Sequence, residues 1–279
     1  MYKLEKMPTG DWLILESQEV IEFTEIMDEA LELWESNQVK KFEKVIRGII
    51  LRCPYHIDAL HHLSLILHER KQYFEEYLIE KEAIGVILSL MNGIFDFKKD
   101  KLIYAYLENR PFHRAYYSFG LCLYRMNRIS EAIEVFENMI QINPGDNMGV
   151  RCLLTKYYFE TNQPEKVILL SEQYSDDTMV DIVYGKVLAK FYLGKGDFKD
   201  DLRSAIRFLP KVGKEIIKML HTKPSQKFLG KTQVMTVGGE DEAYYYWENY
   251  GIFWLQAIDL HEHLKEIILD LKLTQRHGI

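Results

Sequence analysis

Cysteine, proline and glycine are sparse in this chain, at three, seven and sixteen of 279 residues, and none of the three forms a cluster. Cys53, Cys122 and Cys152 lie far apart and never in CxxC or CxxH spacing. Neither a disulfide framework nor a zinc site is indicated, and reduced structural thiols are expected. Without a Pro/Gly/Ser-rich stretch there is no obvious flexible linker between two cores, so one continuous body is expected. Long apolar runs are also missing. The longest, Ala83 to Met91 with Ile94 and Phe95 just beyond, falls short of the roughly 20 apolar residues that span a membrane. The opening MYKLEKMPTGDW holds no apolar signal core, so a soluble cytoplasmic protein with no membrane partner is expected. Excess positive charge is absent as well. Lys+Arg number 35 against 42 Asp+Glu, a formal net charge of -7, whereas a nucleic-acid binder needs a basic face.

What the chain does have is apolar material, 47% hydrophobic and 13% aromatic, enough to bury a large core. That material is periodic. Ala132, Phe136, Met139 and Pro144 follow one another at intervals of four, three and five, and so do Phe42, Ile46, Ile49 and Pro54, and Phe198, Leu202, Ala205 and Pro210. Four-then-three spacing lays three apolar side chains along one helix stripe, and the proline ends the helix because it lacks an N–H. Each set predicts the second helix of a hairpin. A further hairpin is predicted between Pro144 and Pro210, from Val150, Leu153, Leu154 and Tyr157 followed by Val167, Leu170 and Tyr174. Between Pro54 and Pro144 the chain exceeds two repeats of about 34 residues by about 22. This predicts an insertion around residues 73–106, comprising a long helix from Tyr73 to Leu90 and an irregular piece opening on the turn signal Asn92-Gly93.

The segment from His113 to Asp146 resembles the tetratricopeptide motif most closely. Tyr116, Phe119-Gly120 and Leu123 stand in its first helix, and Ala132, Phe136 and Pro144 complete its second. Gly120 and Ala132 are small where two helices must approach. Ser130 is expected to cap the second helix and Asp146 the next one. Three longer segments resemble a family of bacterial tetratricopeptide proteins whose carboxyl-terminal half is similar to the suppressor-of-tumorigenicity family of animals. They are Leu107 to Leu154, with Asn-Arg-Pro-aromatic and Asn-Pro-x-Asp-Asn-x-Gly-x-Arg signatures; Arg203 to Lys218; and Val237 to Leu264, with an acidic helix start and a tryptophan-containing close. The resemblance implies an all-α, tetratricopeptide-like solenoid of helix hairpins in a right-handed superhelix. The array would run over residues 1–236, with capping helices over residues 237–279 in the same body. It implies no activity, and the membrane-spanning segments of the animal relatives are missing here.

Residues capable of chemistry do not converge. His56, His61, His62 and His68 surround Asp58, but HExxH is absent, and His61 and His68 sit two turns or about 10 Å apart on a helix. They are expected to form a wet helix face. His261, Glu262 and His263 point in different directions on a helix. Glu240, Asp241 and Glu242 suit the positive end of a helix dipole. No phosphate loop, Gly-x-Ser-x-Gly elbow or Cys-His pair can be read, so no catalytic residue, metal or cofactor is expected. The candidate site is the inner face of the first helices: Arg114, Tyr117, Tyr124 and Arg125, then Arg151 and Tyr158. Arginine and tyrosine there suit a protein or peptide partner bearing carboxylates, unless internal Asp or Glu holds the arginines. The expected function is a non-catalytic protein- or peptide-binding scaffold, the alternative being a hydrolase or metal enzyme built on a helical array.

Overall fold

The computed structural model describes residues 1–219 and 235–277; Gly278 and Ile279 of the expected closing segment lie outside them. Thirteen α-helices and one two-stranded sheet make up the regular structure of the described residues, so the protein is all-α. By internal contacts the chain divides into two compact units, Met1–Val150 and Arg151–Ile279.

The first unit opens with strands β1 (Tyr2–Lys6) and β2 (Trp12–Glu16), an antiparallel hairpin. Three helix hairpins follow: α1 (Gln18–Glu35) with α2 (Val39–Arg52), α3 (Ile57–Glu69) with α4 (Tyr73–Met91), and α5 (Arg110–Arg125) with α6 (Ile129–Ile142). The second unit holds most of α7 (Val150–Glu160), α8 (Pro164–Gln173), the hairpin α9 (Val180–Tyr192) with α10 (Phe198–Phe208), and α11 (Pro210–Met219). Two last helices, α12 (Glu240–Gln256) and α13 (Ile258–His277), pack on α9, α10 and α11.

One turn is used five times. The helices α1, α3, α5, α7 and α9 each end in a residue with left-handed backbone: Asn37, Lys71, Asn127, Asn162 and Gly194, with φ between 55° and 65°. In each, the following N–H reaches back five residues: Gln38 to Leu33, Gln72 to Leu67, Arg128 to Leu123, Gln163 to Tyr158 and Lys195 to Lys190, at 2.7–2.9 Å. This pair of features is the Schellman closure, which satisfies carbonyls that the helix end leaves orphaned. The turns give the repeat its register. Asn37 to Lys71 is 34 residues, Asn127 to Asn162 is 35 and Asn162 to Gly194 is 32, whereas Lys71 to Asn127 is 56. The surplus is therefore located. It lies in the 19-residue α4 and in the non-helical stretch that follows it, with Gly93 at φ +78° where Asn92-Gly93 predicted a turn.

The apolar stripes are buried as their spacing requires. Phe42, Ile46 and Ile49 are fully buried with Met27, Leu63 and Ile66 in the core of the first hairpins, and Ala132, Phe136, Leu202 and Ala205 are buried in theirs. Gly120 has no room for a side chain, since a Cβ there would lie 2.6 Å from the Phe136 ring. One expectation needs correction. Ser130 is not a cap: α6 starts at Ile129, and Ser130 lies inside its first turn. Residues 1–16 form a hairpin that carries no apolar pattern long enough to read. Asp146 does hold the start of α7, its carboxylate accepting the Val150 N–H at 2.8 Å.

The hairpin and the long connection are fixed by buried polar side chains. Asn109, fully buried, accepts the Ile14 N–H and donates to the carbonyls of Trp12 and Ile103, all at 3.0 Å. Asn143 accepts the Tyr104 N–H at 3.1 Å. His113 donates from Nε2 to the Leu102 carbonyl at 2.6 Å, and burial holds its imidazole down to about 4.

Two outcomes follow from these contacts. Asn109→Ala strands one buried and two partly buried backbone groups and is expected to cost about 2–3 kcal/mol, read as a lower denaturation midpoint and faster cleavage of residues 1–16 by protease. Unchanged stability would contradict the role given to this amide. His113 titrates below its ordinary value in the folded chain, so the unfolded chain takes up the proton first. Its contribution is complete above about pH 6.5 and is lost as pH falls through about 4. Between pH 6.5 and 4.5 the protein should lose about 2 kcal/mol more than His113→Gln, which cannot titrate. Parallel acid profiles for the two proteins would exclude this.

Candidate partner-binding face

In the first unit α3, α4 and α5 pack together, and a set of ionisable side chains lies between them. Arg114 on α5 donates to Asp58 on α3 at 2.7 Å. Asp58 also lies 3.8 Å from His62 Nδ1, which sits 2.8 Å from the Asp58 carbonyl. Burial pushes the Asp58 carboxyl up, but Arg114 and His62 outweigh it and hold it below the ordinary carboxylate range. The Glu76 carboxylate on α4 accepts from Arg125 and from the Cys122 thiol on α5, and lies 3.1 Å from His68 on α3. Glu80, fully buried one turn further, meets His61 at 2.8 Å and the Ser64 hydroxyl. Burial raises its carboxyl above the usual range, and His61 and Ser64 offset that only in part.

The histidines therefore do not form the wet face expected of them. His56 and His61 are buried, and His56 caps α3 by accepting the Ala59 N–H at 3.1 Å while its other nitrogen meets Thr24 at 3.2 Å. Helix periodicity alone could not foresee this, because their partners come from α1 and α4. Among the described residues no three His, Cys, Asp or Glu side chains converge as a metal site requires.

The six candidate residues divide between the two units. On α5, Arg114 and Arg125 hold Asp58 and Glu76; Tyr117 is half-buried with its ring centroid 5.7 Å from that of Phe136, and Tyr124 is half-buried. On α7, Arg151 pairs with Asp177 and lies 5.3 Å over the Tyr174 ring. Tyr158 is 5% exposed beneath the Lys166 ammonium and offers little surface. Each of the three arginines thus has an internal carboxylate. Asp58 and Glu76 are far from the arginines in sequence, and no local spacing signals them.

The carboxyl-terminal helices carry an aromatic core rather than a site. The Tyr246 and Tyr250 rings stack at 4.6 Å, the Trp254 indole donates to the Tyr246 hydroxyl at 2.9 Å, and Tyr184 donates to the Leu209 carbonyl at 3.0 Å. At the start of α12, Asp241 and Glu242 accept the N–H groups of Thr236 and Gly238, each at 2.7 Å. A Cβ on Gly239 would strike the Thr236 carbonyl at 2.6 Å, so the carboxylates and the glycine pair close this loop together.

The internal pairing makes a stability prediction. Arg151→Ala leaves the buried Asp177 without its cation and should cost about 2–3 kcal/mol, whereas Arg114→Ala, at a wetter pair, should cost about 1–2 kcal/mol. Calorimetry on the double variant should show melting about 6–15 °C lower. A melting temperature within about a degree of the parent would show that these pairs contribute nothing to the fold.

No helix among the described residues is long and apolar enough to cross a membrane. No curated protein matches the chain. No tetratricopeptide family model matches either, so the likeness to that motif is one of helix spacing, and the resemblance to the suppressor-of-tumorigenicity family is a loose one. A family model described as transcriptional repressor TCF25 matches residues 38–257, from the turn before α2 to the residue that ends α12. That match takes in all but the β-hairpin, α1 and α13, and the chain belongs to the transcriptional repressor TCF25 family.

Proposed function

We propose that this chain is a non-catalytic scaffold that acts by holding another protein. The observation carrying this reading is the commitment of its ionisable groups. Glu80 with His61, Glu76 with His68 and Arg125, and Asp58 with Arg114 are engaged with one another across α3, α4 and α5. A nucleophile or general base must face a substrate, and these groups instead face one another in the helix packing, with Glu80 Oε2 a buried carboxylate oxygen left without a hydrogen bond. Membership of a family described by transcriptional repression supports a regulatory task. With a net charge of -7 the partner is more naturally a protein than a phosphate backbone.

Repeats of helix pairs suit this work, because adding hairpins enlarges the surface without altering the core. In this reading α12 and α13 serve as the cap on the array. Within the first unit the α5 face of Arg114, Tyr117, Tyr124 and Arg125 remains a contact surface for the partner; in the second unit Arg151 is the candidate, since Tyr158 is buried. A ligand carboxylate would have to displace Asp58, Glu76 or Asp177, so aromatic contact carries more of the binding there than ion pairing does.

The test is recovery of the full chain from its native cells under mild conditions, followed by size-exclusion chromatography and mass spectrometry. We expect a complex of fixed stoichiometry with one protein. Elution of the chain alone at every salt concentration tried would count against a scaffold.

A further inference from the structure

The second unit contains a cavity of about 410 Å³, open to solvent between α8, α9 and α10. Its accessible apolar lining is Val183, the half-buried Tyr174 ring and Phe208, 53% exposed, over the buried Ile182 and Ala205. A volume of this size holds a few side chains and not a whole helix. Burying one aliphatic or aromatic side chain there removes apolar surface that α9 and α10 leave in water.

The ionic lining has a definite sign. Glu172, Asp177 and Asp201 line the cavity against a single cation, Lys186. The lining cation, and those that pair with its carboxylates, are already matched. Lys186 meets Asp201 at 2.9 Å, Lys190 meets Asp197 at 2.6 Å and Asp201 at 2.5 Å, and Arg151 holds Asp177. Glu172 is exposed and has no ion-pair partner among the described residues. The charge left over is negative, and it lines the same cavity as the exposed Phe208 ring, the Tyr174 ring being already covered by Arg151. Arginine answers both features, because its guanidinium pairs with a carboxylate and stacks on a ring face. An acidic ligand would meet the unpaired Glu172 instead.

We propose that this cavity binds a linear segment of a partner protein in which an aliphatic or aromatic side chain is flanked by Arg or Lys. The apolar side chain enters over Val183 beside Phe208, and the cation lies against Glu172. This rests on the protein-binding reading above and adds the chemistry of the bound segment.

The probe is a random dodecapeptide phage library selected on the immobilised full chain. Winning peptides are then titrated by fluorescence anisotropy against the parent, Glu172→Lys and Phe208→Ala. Both positions are exposed, so melting curves of the variants should overlay the parent. The selected sequences should place Lys or Arg next to an apolar residue. Each variant should weaken their binding by about tenfold, a change of about 1.4 kcal/mol, and affinity should fall as salt rises. Selection of acidic or uncharged peptides overturns the proposal. So does failure to enrich any sequence, or binding to both variants within about twofold of the parent. If the native partner still co-elutes with both variants, the cavity is excluded while the scaffold reading stands. If the parent chain recovers no partner and no peptide, both fail together.

Discussion

A helix hairpin can close only if the first helix stops cleanly and its last carbonyls find donors. In this chain one left-handed residue does both at five places. At Asn37, Lys71, Asn127, Asn162 and Gly194 the reversed backbone turns the next N–H back onto the helix it has just left. The exit direction of each first helix is thereby set, and the second helix can return along it with its four-three stripe facing inward. Asparagine and glycine tolerate that backbone at low cost, and four of the five positions use one of them. Lys71 is the exception, and nothing in its surroundings explains the choice.

Stacking of the hairpins brings polar residues together along with the apolar stripes. Where α3, α4 and α5 meet, Asp58, Glu76 and Glu80 would be costly to bury alone, and each is met by a cation or imidazole from a neighbouring helix. Such pairs add little net stability over an apolar core, but loss of either partner is expensive. The arrangement specifies which helix face meets which. The same logic explains the Asn-Arg-Pro-aromatic and Asn-Pro-x-Asp segments. Asn109 and Asn143 satisfy backbone groups of the β-hairpin and of the connection after α4, Phe112 fills the core, and Asp146 holds α7. These polar signatures are joints of the fold.

Much of the helical architecture was legible from one-dimensional pattern. The Phe42, Ala132 and Phe198 sets identified α2, α6 and α10, and Gly120 marked a close helix approach, which Phe136 makes, because helix periodicity and the need for a small residue are local properties. The repeat register was available in a second form that proline spacing obscured, the recurrence of asparagine followed by a polar residue at Asn37-Gln38, Asn127-Arg128 and Asn162-Gln163. The hairpin of residues 1–16 could not be read, since two five-residue strands pair through backbone groups and depend on Asn109, nearly a hundred residues away.

The candidate site shows where the sequence stopped. Residue identity and helical phase determined that Arg114, Arg125 and Arg151 would stand on first helices, and that each would require a counter-charge. Which carboxylate answers was decided by tertiary packing, which carries Asp58 and Glu76 to α5 and Asp177 to α7. The histidines around Asp58 became buried for the same reason. Periodicity fixes the direction of a side chain about its own helix axis, whereas burial and pairing depend on what other helices place opposite it.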